Sequence, residues 1–279
     1  MASADFDREA YHAAAARGER ISFHSLMDFV KNGKEYHERI TGALPPREET
    51  REMFFGSACH KLILEGREAF ADEYKVADGP VNPRTGAPFG RETKAFTEWL
   101  ATQDKPVVSS DEAAQILLME KAVRGHEIAG AQLARGRAET PLYFDWCGLP
   151  CQSCLDWLTA PNRASAPEVI VDLKTTADID RFVYQARDFR YIHQLAFYRR
   201  AYMANAFCSE PPCCLIVAVE RPRANGPAPR CGVWHILAAD LDEAEDWLMQ
   251  QLNALAEARE ANDWRDGYEA LRTLTLHNY

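Results

Sequence analysis

Residues 168 to 176 read EVIVDLKTT, an apolar, β-branched run suited to a buried strand that nevertheless ends in two charges, Asp172 and Lys174. Side-chain alternation places both charges on one face of that strand. Burying them uncompensated costs several kcal/mol, so they need one another, a further charged group or a cation. A second run, LPCQSCLDWLT, puts Cys154, Asp156 and Leu158 on one face. If the two strands are neighbours, two carboxylates and an ammonium converge at one sheet edge. Two carboxylates beside a hard cation make a Mg²⁺ site, with the lysine free to hold or polarise a water, and phosphodiester hydrolysis is the chemistry this suits.

The order of elements sets the architecture. The first forty residues read as helices, with Ser22 capping a helix whose apolar face is Phe23, Leu26, Phe29 and Val30. A second helix is predicted to open at Gly56, carry SACHKLILEG and end at Gly66. The stretch DGPVNPRTGAPFGRETK is rich in Gly and Pro and reads as a surface loop holding Arg84, Arg91 and Lys94. Helices near 90–102 and 110–134 precede three strand-like runs, AETPLYFDW, LPCQSCLDWLT and EVIVDLKTT. One long helix from about Asp180 to Asn205 follows, then strands PCCLIVAVE and GVWHILAA and a last helix over Leu241–Asn262. This predicts an α/β fold with a mixed central sheet flanked by helices. A single domain is expected over 1–279, with 1–135 a helical N-terminal elaboration and 136–279 the sheet and C-terminal helix.

The formal charge of −10 argues against a polyanionic partner until its distribution is considered. Ten acidic residues against two arginines lie between Asp240 and Ala270, leaving the remainder nearly neutral. Arg181, Arg187, Arg190, Arg199 and Arg200 form a basic stripe interrupted by Asp188 alone. No apolar run reaches the roughly 18 residues of a membrane helix, and the N-terminus lacks the apolar core of a signal peptide, so a cytoplasmic protein without membrane association is expected. Eight cysteines suit that compartment as free thiols. Cys147, Cys151 and Cys154 have spacings that zinc or an iron–sulfur cluster could use, but they make an incomplete set, and small buried hydrophobes are the favoured reading.

Asp156 followed by Asp172-Leu173-Lys174 resembles the PD-(D/E)xK nuclease signature. ACHKLILEG with His60, RAETPLYF with Glu139, DLKTTADIDRF, and YIHQLAFYRRAY with Gln194 and Tyr198 occur around it in this order. The whole set resembles the nuclease domain of the exonuclease VIII (RecE) family, from about residue 20 to the C-terminus. The resemblance implies that His60, Asp156, Asp172 and the Leu173 carbonyl hold metal, that Lys174 is the catalytic lysine, and that Glu139 is an acid at the site, reaching metal through water. It makes Gln194 and Tyr198 a QxxxY motif near the substrate. Leu155 stands where the family tends to have proline; that proline is not a ligand, so the chemistry should survive.

The implied activity is Mg²⁺-dependent digestion of linear double-stranded DNA from 5′ ends, leaving 3′ single-stranded tails for recombination, with Mn²⁺ as a substitute ion. A homo-oligomeric ring, tetramer before trimer, and a single-strand annealing partner are implied likewise. Arg84, Arg91, Lys94, Arg187 and Arg190 are the candidates for the DNA path. An endonuclease on the same fold and a catalytically silent DNA-binding module are the alternatives.

Overall fold

The computed structural model describes residues 6–160, 168–206, 210–223, 226–269 and 271; the rest of the span 1–279, Cys208 included, lies outside the described residues. Each N-terminal helix starts where the sequence offers a cap. Asp7 opens α1 (Arg8–Ala16), Ser22 opens α2 (Phe23–Lys31) in a reciprocal pair with Ser25, and Asn32 opens α3 (Gly33–Ile40). The helix predicted from Gly56 is longer: α4 (Arg51–His60) begins at a Thr50 cap and carries Gly56 inside it. It continues as a π-helical turn over Lys61–Glu65 until Gly66, with φ of 94°, stops it.

Next come α5 (Arg67–Glu73), α6 (Lys94–Leu100), α7 (Ser110–Gly125) and α8 (Glu127–Gln132). Between them β1 (Lys75–Val76) and β2 (Val107–Val108) pair in parallel, a contact too short to leave a sequence pattern.

The main sheet runs in the order β3 (Gly136–Trp146), β4 (Leu149–Thr159), β5 (Val169–Thr176), β6 (Cys213–Glu220), β7 (Cys231–His235). Cys147 and Gly148 both take positive φ in the two-residue turn between β3 and β4, as a tight hairpin between right-twisted strands requires. Within this sheet only β5 and β6 pair in parallel, so this step needs a crossover. The crossover is not the single helix expected from Asp180 to Asn205. A 3₁₀ turn at Ile179–Arg181 leads into α9 (Phe182–Asp188), and Arg190 then adopts a left-handed conformation before α10 (Tyr191–Asn205).

Helices cover both faces of this mixed sheet. On one, Leu195 and Phe197 of α10 and Leu248 and Leu252 of α11 (Ala238–Ala261) pack with Ile170 and Ile216. On the other, Ala58 and Leu62 beside Ile116 and Met119 pack with Val171, Leu173 and Val217. Each such side chain contributes ~1.5–3 kcal/mol by leaving water. Alternation along β5 therefore sends Asp172 and Lys174 to the α10 side with Ile170.

The acidic C-terminal helix packs against α10, which carries part of the basic stripe. Asp242 and Glu245 of α11 receive Arg199 Nη2 at 2.6 and 3.1 Å, and the Arg199 side chain is only 7% exposed. Among the described residues no helix is long and apolar enough to cross a membrane.

Candidate active site

The site begins where β4 and β5 part. Their ladder ends at the pair Trp157–Val171, so Asp156 and Asp172, next in register, fall just beyond it. Freed from the ladder, the Leu173 amide donates instead to Asp156 Oδ2 at 2.9 Å. On the other side of β4 the ladder pairs Ala138 with Trp157 and Thr140 with Leu155 but skips Glu139, whose φ is 46°. A left-handed residue other than glycine costs roughly 1–2 kcal/mol and in a strand marks a local irregularity. Glu139, Asp156 and Asp172 thus occupy one register level across three strands.

His60 arrives from the opposite face of the sheet at the end of α4, with Nδ1 3.6 Å from Asp156 Oδ2. Lys174 Nζ lies 2.9 Å from both oxygens of Asp172, but only Oδ1 has hydrogen-bond geometry, and Oδ2 stays buried without a hydrogen bond. Burial raises the carboxyls of Asp156 and Asp172 above their ordinary range, with Lys174 opposing the rise. Burial alone would lower Lys174; the attraction of Asp172 and Asp156 outweighs it and holds the ammonium protonated. Burial, aided by Lys174, lowers His60 to about 4, leaving a neutral imidazole. Glu139 is pushed up to about 7 by burial and by Asp156, against the pull of Arg8.

The centre therefore holds more carboxylate than its one lysine compensates. Among the described residues no three His, Cys, Asp or Glu side chains are grouped so that they could hold a metal ion as they stand. The donor set nonetheless suits a divalent cation: a neutral imidazole, two carboxylates under strong desolvation, and the orphaned Asp172 Oδ2.

The QxxxY pair belongs to the same locality. Gln194 Nε2 donates to Tyr198 Oη at 2.8 Å, one helical turn apart on α10, and both are buried. Tyr198 is raised well above its usual value by burial and then by the charges of Asp156 and Asp172. Tyr198, Glu139 and Asp156 line a cavity of about 600 Å³ together with Tyr11, His24 and Ser153.

Three participants escape a sequence reading. Arg8 of α1 reaches Glu65 at 3.2 Å and Glu139 at 3.3 Å. His24 is lowered to about 4 by burial and then by Lys174. Tyr191 places its ring 4.8 Å from Lys174 Nζ while Gln185 Nε2 donates to its hydroxyl at 3.1 Å. Arg8 and His24 carry no local signal, whereas Tyr191, three residues before Gln194, could have been noted.

The candidate DNA contacts divide. Arg84 and Lys94 are exposed, whereas Arg91 pairs with Glu112 at 3.2 Å. Arg187 sits 3.2 Å from Asp188, and Arg190 lies over the Trp247 ring at 4.4 Å. The three thiols of the hairpin face different partners, Cys147 the Met249 carbonyl, Cys151 the Leu149 carbonyl and Cys154 the Glu139 carboxylate, and so share no ligand position.

A family model described as a PDDEXK-like domain of unknown function (DUF3799) matches residues 22–263. No curated protein matches the chain. Thirteen chains of known structure do. One, named "Putative exonuclease" from Eubacterium rectale, aligns over 97% of this chain and 95% of its own with a TM-score of 0.63 and 13% identity, which shows a shared fold. Another, SSO0001, aligns over 56% of this chain and 65% of its own at 14% identity, and its TM-score of 0.28 carries no argument.

Proposed function

Because the chain belongs to the DUF3799 family of PDDEXK-like domains, we propose that it is a divalent-metal-dependent nuclease whose reacting centre is the fork between β4 and β5. The observation that carries this reading is the convergence of Asp156, Asp172 and Lys174 at that fork, with His60 brought to Asp156 from the other face. His60, Asp156, Asp172 and the Leu173 carbonyl would hold Mg²⁺, or Mn²⁺ in its place. Bound there, the ion supplies Lewis acidity and charge compensation for a phosphate. Lys174, kept protonated by its carboxylates, donates to the attacking water and fixes its approach. With its carboxyl pushed up to about 7, Glu139 in its ionised form would serve as the base that takes the proton the water loses. The water oxygen bonds to phosphorus as the bond to the 3′ oxygen breaks, the departing 3′ oxygen takes a proton from solvent to become a hydroxyl, and no covalent enzyme intermediate forms.

Linear double-stranded DNA is the substrate in this reading, digested from 5′ ends to leave 3′ tails for recombination by an annealing protein. The resemblance to RecE nuclease domains supports this polarity, and the name given to the Eubacterium rectale neighbour agrees with end-dependent cleavage. A homo-oligomeric ring around the duplex belongs to the same proposal. The test offers linear and covalently closed circular duplex in Mg²⁺. Loss of the linear form with early release of a 5′ label is expected. Nicking of the circle would make the enzyme an endonuclease, and early release of a 3′ label would reverse the polarity.

A further inference from the structure

The corner between α9 and α10 carries aromatic surface that hydrolysis does not use. Phe189 and Tyr184 are 62% and 58% exposed there. Phe189 is not an isolated surface residue. Its ring stacks on Tyr191 with centroids 5.9 Å apart and planes 17° apart. Tyr191 in turn stacks on buried Phe182, with centroids 6.0 Å and planes 28° apart, and Phe182 packs on Trp234 at 4.6 Å. The row is anchored in the core at one end and open at the other. The left-handed backbone of Arg190, at a cost of roughly 1–2 kcal/mol, makes the turn that sets residues 189 and 191 side by side. The Tyr191 ring also lies 4.8 Å from Lys174 Nζ, so the open face of Phe189 is one ring removed from the proposed catalytic lysine.

We infer that Phe189 is a stacking platform for an unpaired nucleobase of the DNA strand under attack, one or two nucleotides from the phosphate at the β4–β5 fork. This rests on the nuclease reading for its location. Two features select a nucleobase over an apolar peptide: the free end of the row is a flat π face, which any base can cover, and an exposed guanidinium, shared with Asp188, lies beside Tyr184 on the same helix. Arg187, with its side chain 75% exposed, holds that guanidinium 5.8 Å from the Tyr184 ring. A base inside a duplex already has stacked neighbours on both sides, so the platform takes a base freed from pairing. It would therefore hold a frayed end open while the adjoining phosphate sits at the fork.

The test is fluorescence of 2-aminopurine placed at the first or second nucleotide of a frayed 5′ end on a linear duplex, titrated with intact protein in Ca²⁺. The wild type is expected to quench the probe on binding, as stacking does. Phe189→Ala should relieve the quenching and weaken binding of the frayed end by about five- to hundredfold, while Phe189→Trp should keep both. Because the ring is mostly exposed, the alanine variant should melt with the wild type, which separates the effect from misfolding. Unchanged quenching and affinity in Phe189→Ala, or no binding by the wild type, would overturn the platform. A smaller assembly mass for Phe189→Ala by light scattering would overturn it too, since the ring would then be a subunit contact. Quenching by a wild type that cleaves no DNA in Mg²⁺ or Mn²⁺ would leave the platform standing and remove the nuclease reading; cleavage with quenching indifferent to Phe189 would do the reverse.

Discussion

Glu139 concentrates the consequences of one backbone conformation. Its positive φ breaks the β3–β4 ladder at the level of Asp156 and leaves the carboxyl beside Cys154 Sγ and Arg8. Burial there pushes its carboxyl up to about 7, against about 4.3 in an unfolded chain. Between those values the folded state keeps a proton that the unfolded state has lost, so Glu139 lowers stability progressively as pH rises through this window. Glu139→Gln cannot ionise. It should therefore melt close to the wild type below about pH 4.3 and gain on it steadily as the pH approaches 7, measured as the difference between the two melting temperatures in metal-free buffer. A difference that stays constant with pH would contradict the burial argument.

The strands were the most legible elements. Alternation in LPCQSCLDWLT and EVIVDLKTT was enough to put Asp156, Asp172 and Lys174 together, because a strand's period of two fixes the face of every residue once neighbours are known. Ser22 as a cap was equally legible, since its hydroxyl satisfies a free amide by a purely local contact. The break before α10 was not, because the left-handed residue is Arg190 and not a glycine, and nothing in the composition punctuates the chain there. The π turn after His60 and the reach of Arg8 to Glu139 depend on tertiary contacts without local pattern. The docking of α11 on α10 shares this character: Arg199 reads as part of a basic stripe, yet it is a buried tie to Asp242 and Glu245. Arg199→Ala removes a buried stem and its ion pairs but strands no buried charge, since Asp242 is exposed and Glu245 keeps Arg200, and should cost ~1–2 kcal/mol in chemical denaturation while leaving the salt dependence of DNA binding unaltered. A wild-type denaturation midpoint would show that the tie contributes nothing.

For the molecule as a whole, the problem is how a chain of net charge −10 holds a polyanion. The acidic surface is partly spent on Arg199 and Arg200, while exposed cations remain elsewhere, among them Arg84 and Lys94 of the 78–94 stretch and Arg187 of α9. If Arg187 and Arg190 contact phosphate, replacing both by alanine should flatten the slope of log affinity against log salt by about two units, measured in Ca²⁺. An unchanged slope would move the DNA path elsewhere. The central claim, that the fork between β4 and β5 hydrolyses phosphodiesters, is tested most directly by the single-turnover rate of label release from 5′-labelled linear duplex in Mg²⁺, comparing the wild type with Lys174→Ala. The expected result is release by the wild type and a fall of at least about a hundredfold in a variant that still binds DNA. Release by Lys174→Ala at the wild-type rate would contradict the account.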